Sequence, residues 1–377
     1  MLALLVSATA SIAGMYLVLT ADLKLRSSRY LVRAADASRV ALSGLQVSRD
    51  RLGQDPGWTG ATVSAPELTA QSVTITAEST GIYLASITSV GAVADATQMI
   101  TAGVRAMADP VLDFNLYSRT TIAFQNAVAG GAYRCNSDVT VEGELDFYGT
   151  IVTVERRSVS PKVPPGQVLK VATAMNPPDV SISYYESGST PLVSVPWDVD
   201  LDAYLLERIS LRPNSNPYGG TNTFGAYSFN AGGKDLVIRD VYVAGCLLIQ
   251  NCASVRVERG FHAIRSTPGI ATLLTTCDLE LRLESSLSEV LLMTDFNGDG
   301  DILDVFNPYV EGVVFVQGEF KGTYGGVIDG CVVCTSAVLA GTVDLGDSPV
   351  LGVQPVVGFI EPGPWGVVAG SIGEGGS

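Results

Sequence analysis

The first twenty positions, MLALLVSATASIAGMYLVLT, carry no charge and no proline. A helix of about 20 such residues matches the hydrocarbon thickness of a bilayer. Beyond Thr20 the pattern turns amphipathic instead of stopping. Asp22, Lys24, Arg26, Arg29, Arg33, Asp36 and Arg39 interleave with Leu23, Leu25, Leu31, Val32, Val40, Leu42, Leu45 and Val47. No proline interrupts before Pro56, where Gly53 and Pro56 together give a stop signal. The pattern predicts one helix over 1–53, apolar all round in 1–20 and amphipathic in 21–53. At ~1.5 Å per residue it is ~78 Å long, beyond both a globular helix and a membrane span. A cleaved signal peptide fits poorly, because no basic stretch precedes the apolar run and no small-residue cleavage site is followed by a break.

Small residues recur on the apolar half. Ala3, Ser7 and Ser11, and Ala10 with Gly14, have the spacing that lets helices approach closely in lipid. They are the candidate assembly interface, against the blander reading of a plain anchor.

After the helix the period shortens. Ser72–Ala77 alternates, Ile82–Val90 is rich in β-branched residues, and Ala94–Arg105 is a third segment of this kind. A small antiparallel meander over 54–108 is the expected partner of the amphipathic half. The expected contacts set Val40, Leu42, Leu45 and Val47 against Val73, Ile75, Leu84 and Ile87.

From about 109 to the end, short apolar strands alternate with Gly, Asn, Asp and Ser corners. Leu236–Ile238, Leu247–Ile249, Val255–Val257, Leu279–Leu283 and Val313–Val316 are examples. Two-residue hairpin turns are scarce, which favours a right-handed parallel β-helix over a sandwich. Leu236–Leu292 reads as about three rungs and Val310–Val343 as one or two more. The proline-rich stretch within 161–235 reads as a loop-rich insertion in which Tyr184, Tyr185, Trp197 and Tyr204 cover their own loop or anchor a partner. The Gly-rich end, from Gly363, reads as a flexible or docking tail. The fold class is therefore α+β: a long helix, a small meander and a large all-β head.

Charge narrows the partners. The chain has 23 basic and 38 acidic side chains, a net charge of −15. Phosphate binding needs a basic face, so nucleic acid is not an expected partner. Such a surface repels copies of itself until something neutralises it. Six cysteines, Cys135, Cys246, Cys252, Cys277, Cys331 and Cys334, allow up to three disulfides in an exported chain. Cys331 and Cys334 have zinc-ligand spacing, but there is no second close pair and one histidine, His262, in the whole chain.

One motif carries chemistry. In Asp295-Phe296-Asn297-Gly298-Asp299-Gly300-Asp301-Ile302-Leu303-Asp304, oxygen ligands fall at the first, third and fifth places and glycine at the sixth. That is the start of an EF-hand-type calcium loop. Asp295, Asn297 and Asp299 would ligate by side chain and Asp301 by its carbonyl. Phe306 stands where the closing glutamate would be, so Asp304 is expected to close the shell. No flanking helix is expected, with Met293 and Val305 read as strand ends. The expected cofactor is a structural Ca²⁺; the bland alternative is an acidic turn in water.

A charge-free apolar start running into an amphipathic helix of this length, followed by a β-rich head, resembles a mature type IV pilin or pseudopilin. The resemblance implies that a peptidase removes a basic leader and that Met1 is the N-methylated first residue. It implies a helical filament of identical subunits, a pool in the cytoplasmic membrane before assembly, and a cell-surface location. Members usually carry a glutamate in the first turns; Ala3-Leu4-Leu5-Val6 lacks it, as in a divergent PilX-like branch. The later rungs are similar to PilX-like or bactofilin-like heads. Within this resemblance a minor pilin or secretion pseudopilin is an alternative, and any adhesion target is undetermined.

An enzyme is the reading from another class, since β-helices include polysaccharide lyases and hydrolases. Catalysis needs a placed acid, base or nucleophile with a tuned partner. His262 lies in a strand-like context, and acidic pairs such as Glu280 with Glu284 or Asp200 with Asp202 occur in any acidic chain. The expectation is no catalysis, with a membrane-anchored adhesin or polysaccharide-acting enzyme as the alternative.

Overall fold

The computed structural model describes residues 2–55, 58–64, 71–81, 84–154, 158–171, 173–176, 178, 180–267, 269–346, 356–359, 365–368 and 371–376; for 2–13, 63–64, 81, 324 and 374–376 this covers the backbone. The chain divides into two compact units. One comprises Met1–Met107 with Pro362–Ser377, the other Ala108–Glu361.

In the first unit, helix α1 (Leu2–Gln54) runs unbroken for 53 residues. Strands β1 (Gly60–Ser64), β2 (Gln71–Gly81), β3 (Leu84–Val93) and β4 (Ala96–Arg105) form an antiparallel sheet in sequence order. Along β3 buried and half-buried residues alternate, as a strand with one covered face requires. The C-terminal half of α1 packs on β2, β3 and β4. Its buried face is Ala37, Ala41, Gly44, Leu45, Ser48 and Leu52. This corrects the expected contacts: Val40 is half-buried, and Leu42 and Val47 are exposed. The helical phase that buries 37, 41, 45, 48 and 52 turns 42 and 47 outward. The small side chains bring helix and sheet close. A Cβ on Gly91 would meet the backbone of Ala37 and Ala41, and one on Gly44 would meet Val73 and Ser89. Ser89 then reaches the helix and donates its hydroxyl to the Ala41 carbonyl at 2.8 Å. The sheet side is as expected at Val73, Ile75 and Ile87, all buried. The glycine-rich end is no free tail in its described part. Gly366–Val367 and Gly373–Gly376 both pair antiparallel with β4, supplying the edge partner that β4 otherwise lacks.

The second unit is a 13-stranded, largely parallel sheet. Its strands are β5 (Leu116–Ser118), β6 (Ile122–Cys135), β7 (Val139–Val154), β8 (Val168–Val171), β9 (Thr190–Pro191), β10 (Trp197–Asp198), β11 (Ala203–Leu211), β12 (Ala226–Ala244), β13 (Cys246–Ile264), β14 (Leu273–Thr275), β15 (Leu279–Arg282), β18 (Tyr309–Tyr324) and β19 (Val327–Gly346). Beside it lie helices α2 (Ile182–Gly188) and α3 (Glu289–Leu292), and a two-stranded pair, β16 (Leu287–Ser288) with β17 (Val305–Phe306). The β14 and β15 strands each pair with both β13 and β18, closing a ring of four.

Register builds the core. Tyr227, Leu247, Leu273, Val314, Val332, Leu116, Tyr133 and Ile151 stand partner on partner through successive parallel strands, every one fully buried. A second column joins Leu236, Val255, Leu279, Phe320, Ala337, Ile122 and Val139. In-register parallel pairing repeats like above like at ~4.8 Å. Each buried large apolar side chain contributes about 1.5–3 kcal/mol before ordering entropy is subtracted. Corners fall on Asn126, Asp240 and Asn251, which take positive φ, a conformation their short polar side chains tolerate.

The order of strands in the sheet differs from the order in the chain. The path runs β10, β11, β12, β13, β14, β18, β19, β5, β6, β7, β8. The chain thus enters mid-sheet at β5, reaches one edge at β8, and resumes at the other edge to return beside its start. The two ends of the unit meet: the Asp109 N–H donates to the Phe359 carbonyl at 3.0 Å. The expected insertion over 161–235 is also redrawn, because β8 and β11 within it are ladder strands.

Candidate functional site

Two regions carry the candidate residues: the N-terminal part of α1 in the first unit, and the acidic loop after α3 in the second.

From Met15 to Val32, α1 holds large apolar side chains in the open. Met15, Tyr16, Leu17 and Val18 are each about 70% exposed, and Leu23, Leu31 and Val32 more than 60%. Apolar side chains this exposed and this contiguous mark a contact surface. Gly14 belongs to the same surface, and nothing lies within 4 Å of a Cβ placed there. The other members of the expected interface, Met1, Ala3, Ser7, Ala10 and Ser11, lie outside the residues whose side chains are described. Among the described residues no helix is long and apolar enough to cross a membrane. Ion pairs dress the next turns: Arg26 with Asp22 at 2.9 Å, Arg39 with Asp36 at 3.3 Å, and Arg33 with Asp95 in the turn between β3 and β4. All are solvent-exposed, so each contributes little to stability.

The acidic loop spans Asp295–Asp304. A one-turn helix, α3, leads into it, where a strand end was expected; Met293 ends that turn in the left-handed conformation. Phe296 is fully buried and packs with Tyr242 and Leu287. Two glycines take the sharp turns with positive φ, Gly298 and Gly300. Any Cβ on Gly298 would collide with the Arg212 guanidinium, whose Nη1 donates to the Asn297 carbonyl at 2.7 Å.

Most of the predicted ligands are occupied with the loop's own backbone. Asp295 accepts from the N–H groups of Gly298 and Gly300. Asp299 accepts from the N–H of Asp301 at 3.0 Å, and Asp301 from that of Leu303 at 2.9 Å. Asn297 accepts from the N–H of Asp299 and donates its amide to Asp299 at 3.0 Å and Asp304 at 2.6 Å. The carboxylates that do converge are those of Asp301, Asp304 and Glu289, with one oxygen of each inside a 4.8 Å cluster. Asp301 therefore offers its carboxylate to the cluster, not only its carbonyl. Repulsion is legible at Asp304: loss of hydration, then the charges of Asp299, Glu289 and Asp301, raise its carboxyl above the ordinary range.

No protein-family model matches the chain, and no curated protein is similar to it. Among solved structures, the crystal structure of the competence-associated pilin ComZ from Thermus thermophilus is similar over 92% of this chain and 98% of its own, at a TM-score of 0.38 and 10% identity. That likeness assigns no role to any residue, and the site has to be read from its own geometry.

Glu289 is the residue that sequence reasoning missed. It is fully buried. Its carboxylate accepts from the N–H groups of Phe296 at 2.6 Å, Asn297 at 3.4 Å and Asp304 at 3.2 Å, tying both ends of the loop together. It precedes the motif, so a forward count along the loop passes over it. The signal was Ser288, a capping residue, followed directly by an acid; Ser288 does accept from the Leu291 N–H.

His262 is part of a stack. It pairs in register with Tyr242 on one side and Tyr309 on the other, its ring 5.4 Å from that of Tyr242. Burial pulls its pKa down, and Nδ1 lies 3.0 Å from the Asn307 carbonyl. Glu280 is held by Arg282 at 3.0 Å and Lys321 at 3.2 Å. The aromatics of the middle region mostly cover their own chain. Tyr185 is buried with its hydroxyl on the Val357 carbonyl, and Trp197 and Tyr204 meet edge to face. Tyr184 is left about half exposed. None of the six cysteines is in a disulfide.

Proposed function

We propose that the chain is a structural subunit of an extracellular filament of the type IV pilus kind. The observation that carries this reading is the division of α1. One half is fixed to the sheet through small residues, while Met15–Leu19 leaves contiguous apolar side chains exposed, followed by Leu23, Leu31 and Val32 between the charged residues. Such a surface requires other apolar matter, and the neighbouring copies' helices supply it in a filament core. In this reading the charge-free stretch 1–20 waits in the cytoplasmic membrane and leaves lipid on assembly. The second unit is the head that faces water, and its stacked parallel strands are the turns of a β-helix. The head does no catalysis; the engagement of His262 in its stack and of Glu280 in its ion pairs supports this.

The test is assembly. Leu17→Asp and Gly14→Leu are expected to abolish filaments in the fraction sheared from cells, with the head's melting temperature unchanged. Wild-type filament yield from both variants would overturn the reading.

The acidic loop in this reading is a structural Ca²⁺ site built on Asp301, Asp304 and Glu289, with Asp295, Asn297 and Asp299 able to turn oxygens inward. What supports it is convergence of three carboxylates and the repulsion at Asp304, which a divalent cation offsets. Ca²⁺ titration is expected to raise the head's melting temperature in the roughly 10⁻⁴–10⁻³ M range typical of extracellular sites. An unchanged melting temperature at 10-fold higher Ca²⁺ would remove the cation from the account.

A further inference from the structure

The corners that follow β14 and interrupt β13 lie one above the other. Ile249 pairs with Thr275 before them and Val255 with Leu279 after them. Between those pairs sit Cys252 and Cys277, 25 positions apart in sequence. The Cys252 N–H donates to the Cys277 Sγ at 2.8 Å, and the Thr276 hydroxyl lies 3.6 Å from the same sulfur. The Cys252 thiol itself turns to the Gln250 carbonyl at 3.7 Å, leaving the backbone N–H and the Thr276 hydroxyl at the Cys277 sulfur. These donors form a cradle for a thiolate. Of the other thiols, Cys135 accepts from the Ser137 N–H at 3.4 Å, but its own S–H is committed to the Thr120 carbonyl at 2.8 Å. Burial alone pushes up Cys246, and it is the leading cause for Cys331 and Cys334. Cys277 keeps 8% of its surface open, and Cys252 is half-buried on the same corner stack.

We propose that Cys277 and Cys252 form a peroxide-reactive pair that closes to a disulfide across two adjacent corners of the head. Cys277 is the attacking sulfur and Cys252 the resolving one. The oxidant is a small one of the hydroperoxide class, since only 8% of the Cys277 surface is open. The Cys277 thiolate attacks the peroxide oxygen, the O–O bond breaks, and sulfenic acid and hydroxide result; the hydroxide takes up the proton that the Cys277 thiol released and leaves as the first water, while sulfur loses two electrons and the peroxide gains them. The Cys252 sulfur then attacks Cys277 Sγ, the S–O bond breaks, and the departing hydroxyl takes the Cys252 thiol proton to leave as water. Two thiols and one hydrogen peroxide thus give one disulfide and two waters. The bond closes a loop of about this spacing in the unfolded chain, and so stabilises the head.

The full chain, reduced and then treated with one equivalent of hydrogen peroxide, is alkylated and mapped by mass spectrometry. A Cys252–Cys277 linked peptide is expected, with the other four cysteines alkylated, and a melting temperature about 5–10 °C higher than the reduced protein. In Cys252→Ser, a dimedone adduct at Cys277 is expected and no linked peptide. In Cys277→Ser, Cys252 is expected to oxidise at least 10-fold more slowly than Cys277 does in the wild type. Full alkylation of both cysteines after peroxide in the wild-type chain overturns the proposal whether or not the variants fold. Equal oxidation rates of Cys252 in Cys277→Ser and of Cys277 in the wild type overturn the assigned roles.

Discussion

Glu289 and Asp304 place opposite demands on one loop. Glu289 accepts three backbone N–H groups with a fully buried carboxylate. Removing its charge leaves those donors poorly met, so Glu289→Gln is expected to cost about 1.5–3 kcal/mol in urea unfolding. Asp304 is held above its ordinary value of 3.8 by lost hydration and three neighbouring carboxylates. A carboxyl raised in the folded state is a liability once ionised: the cost is absent below the unfolded value and complete above the folded one. As pH climbs from 3.8 through the raised pKa, this group alone lowers stability. Asp304→Asn is therefore expected to raise the melting temperature in chelator at neutral pH, flatten that pH dependence, and abolish the response to Ca²⁺. A wild-type Ca²⁺ response in the variant would mean that Asp304 is no ligand. Phe296 anchors the same loop from below, fully buried among Tyr242 and Leu287. Phe296→Ala is expected to cost about 3–5 kcal/mol, read as a lower urea midpoint.

The elements differ in how they are fastened. The C-terminal half of α1 lies on the sheet at a distance only glycine and alanine permit, because Gly91 faces the helix backbone at Ala37 and Ala41. Gly91→Val is expected to lower the first unit's stability by about 1–3 kcal/mol through overpacking; thermal unfolding followed by the helical signal measures it, and an unchanged transition would show the helix to be less closely seated. The amphipathic pattern of 21–53 was legible, and so were β2, β3 and β4. Which face of the helix goes inward was not, because Leu42 and Val47 outweigh Ala37, Ala41 and Gly44 in hydrophobicity. Close approach of backbones decided the matter, and the stripe of small residues every three or four positions was its trace in the sequence.

At the scale of the whole molecule, the chain enters the ladder of the second unit in the middle and closes on itself there. At that closure the strands have neighbours far away in sequence: Val332 on β19 sits between Val314 on β18 and Leu116 on β5. Val168 sits at the ladder's edge, on β8, half-buried. A charge at Val332 has no water and no partner, and the whole column fails with it. Val332→Asp is expected to leave the head unfolded, whereas Val168→Asp lowers its urea midpoint only modestly. Comparable losses from the two would mean that the ladder does not act as one cooperative core.

The sequence by itself determined the long helix, its apolar and amphipathic halves, the short apolar strands with their Asn and Asp corners, and the loop of Asp295–Asp304. These follow from periodicity and turn chemistry, which act over a few residues. Tertiary structure alone decided the strand order, the pairing of the C-terminal strands with β4, the place of Glu289 in the acidic loop, and the meeting of Cys252 with Cys277. A parallel strand with a buried apolar face accepts any other strand of matching pattern beside it. Nothing local distinguishes β19 from β8 as the neighbour of β5; only the path of the connections and the fit of stacked side chains do.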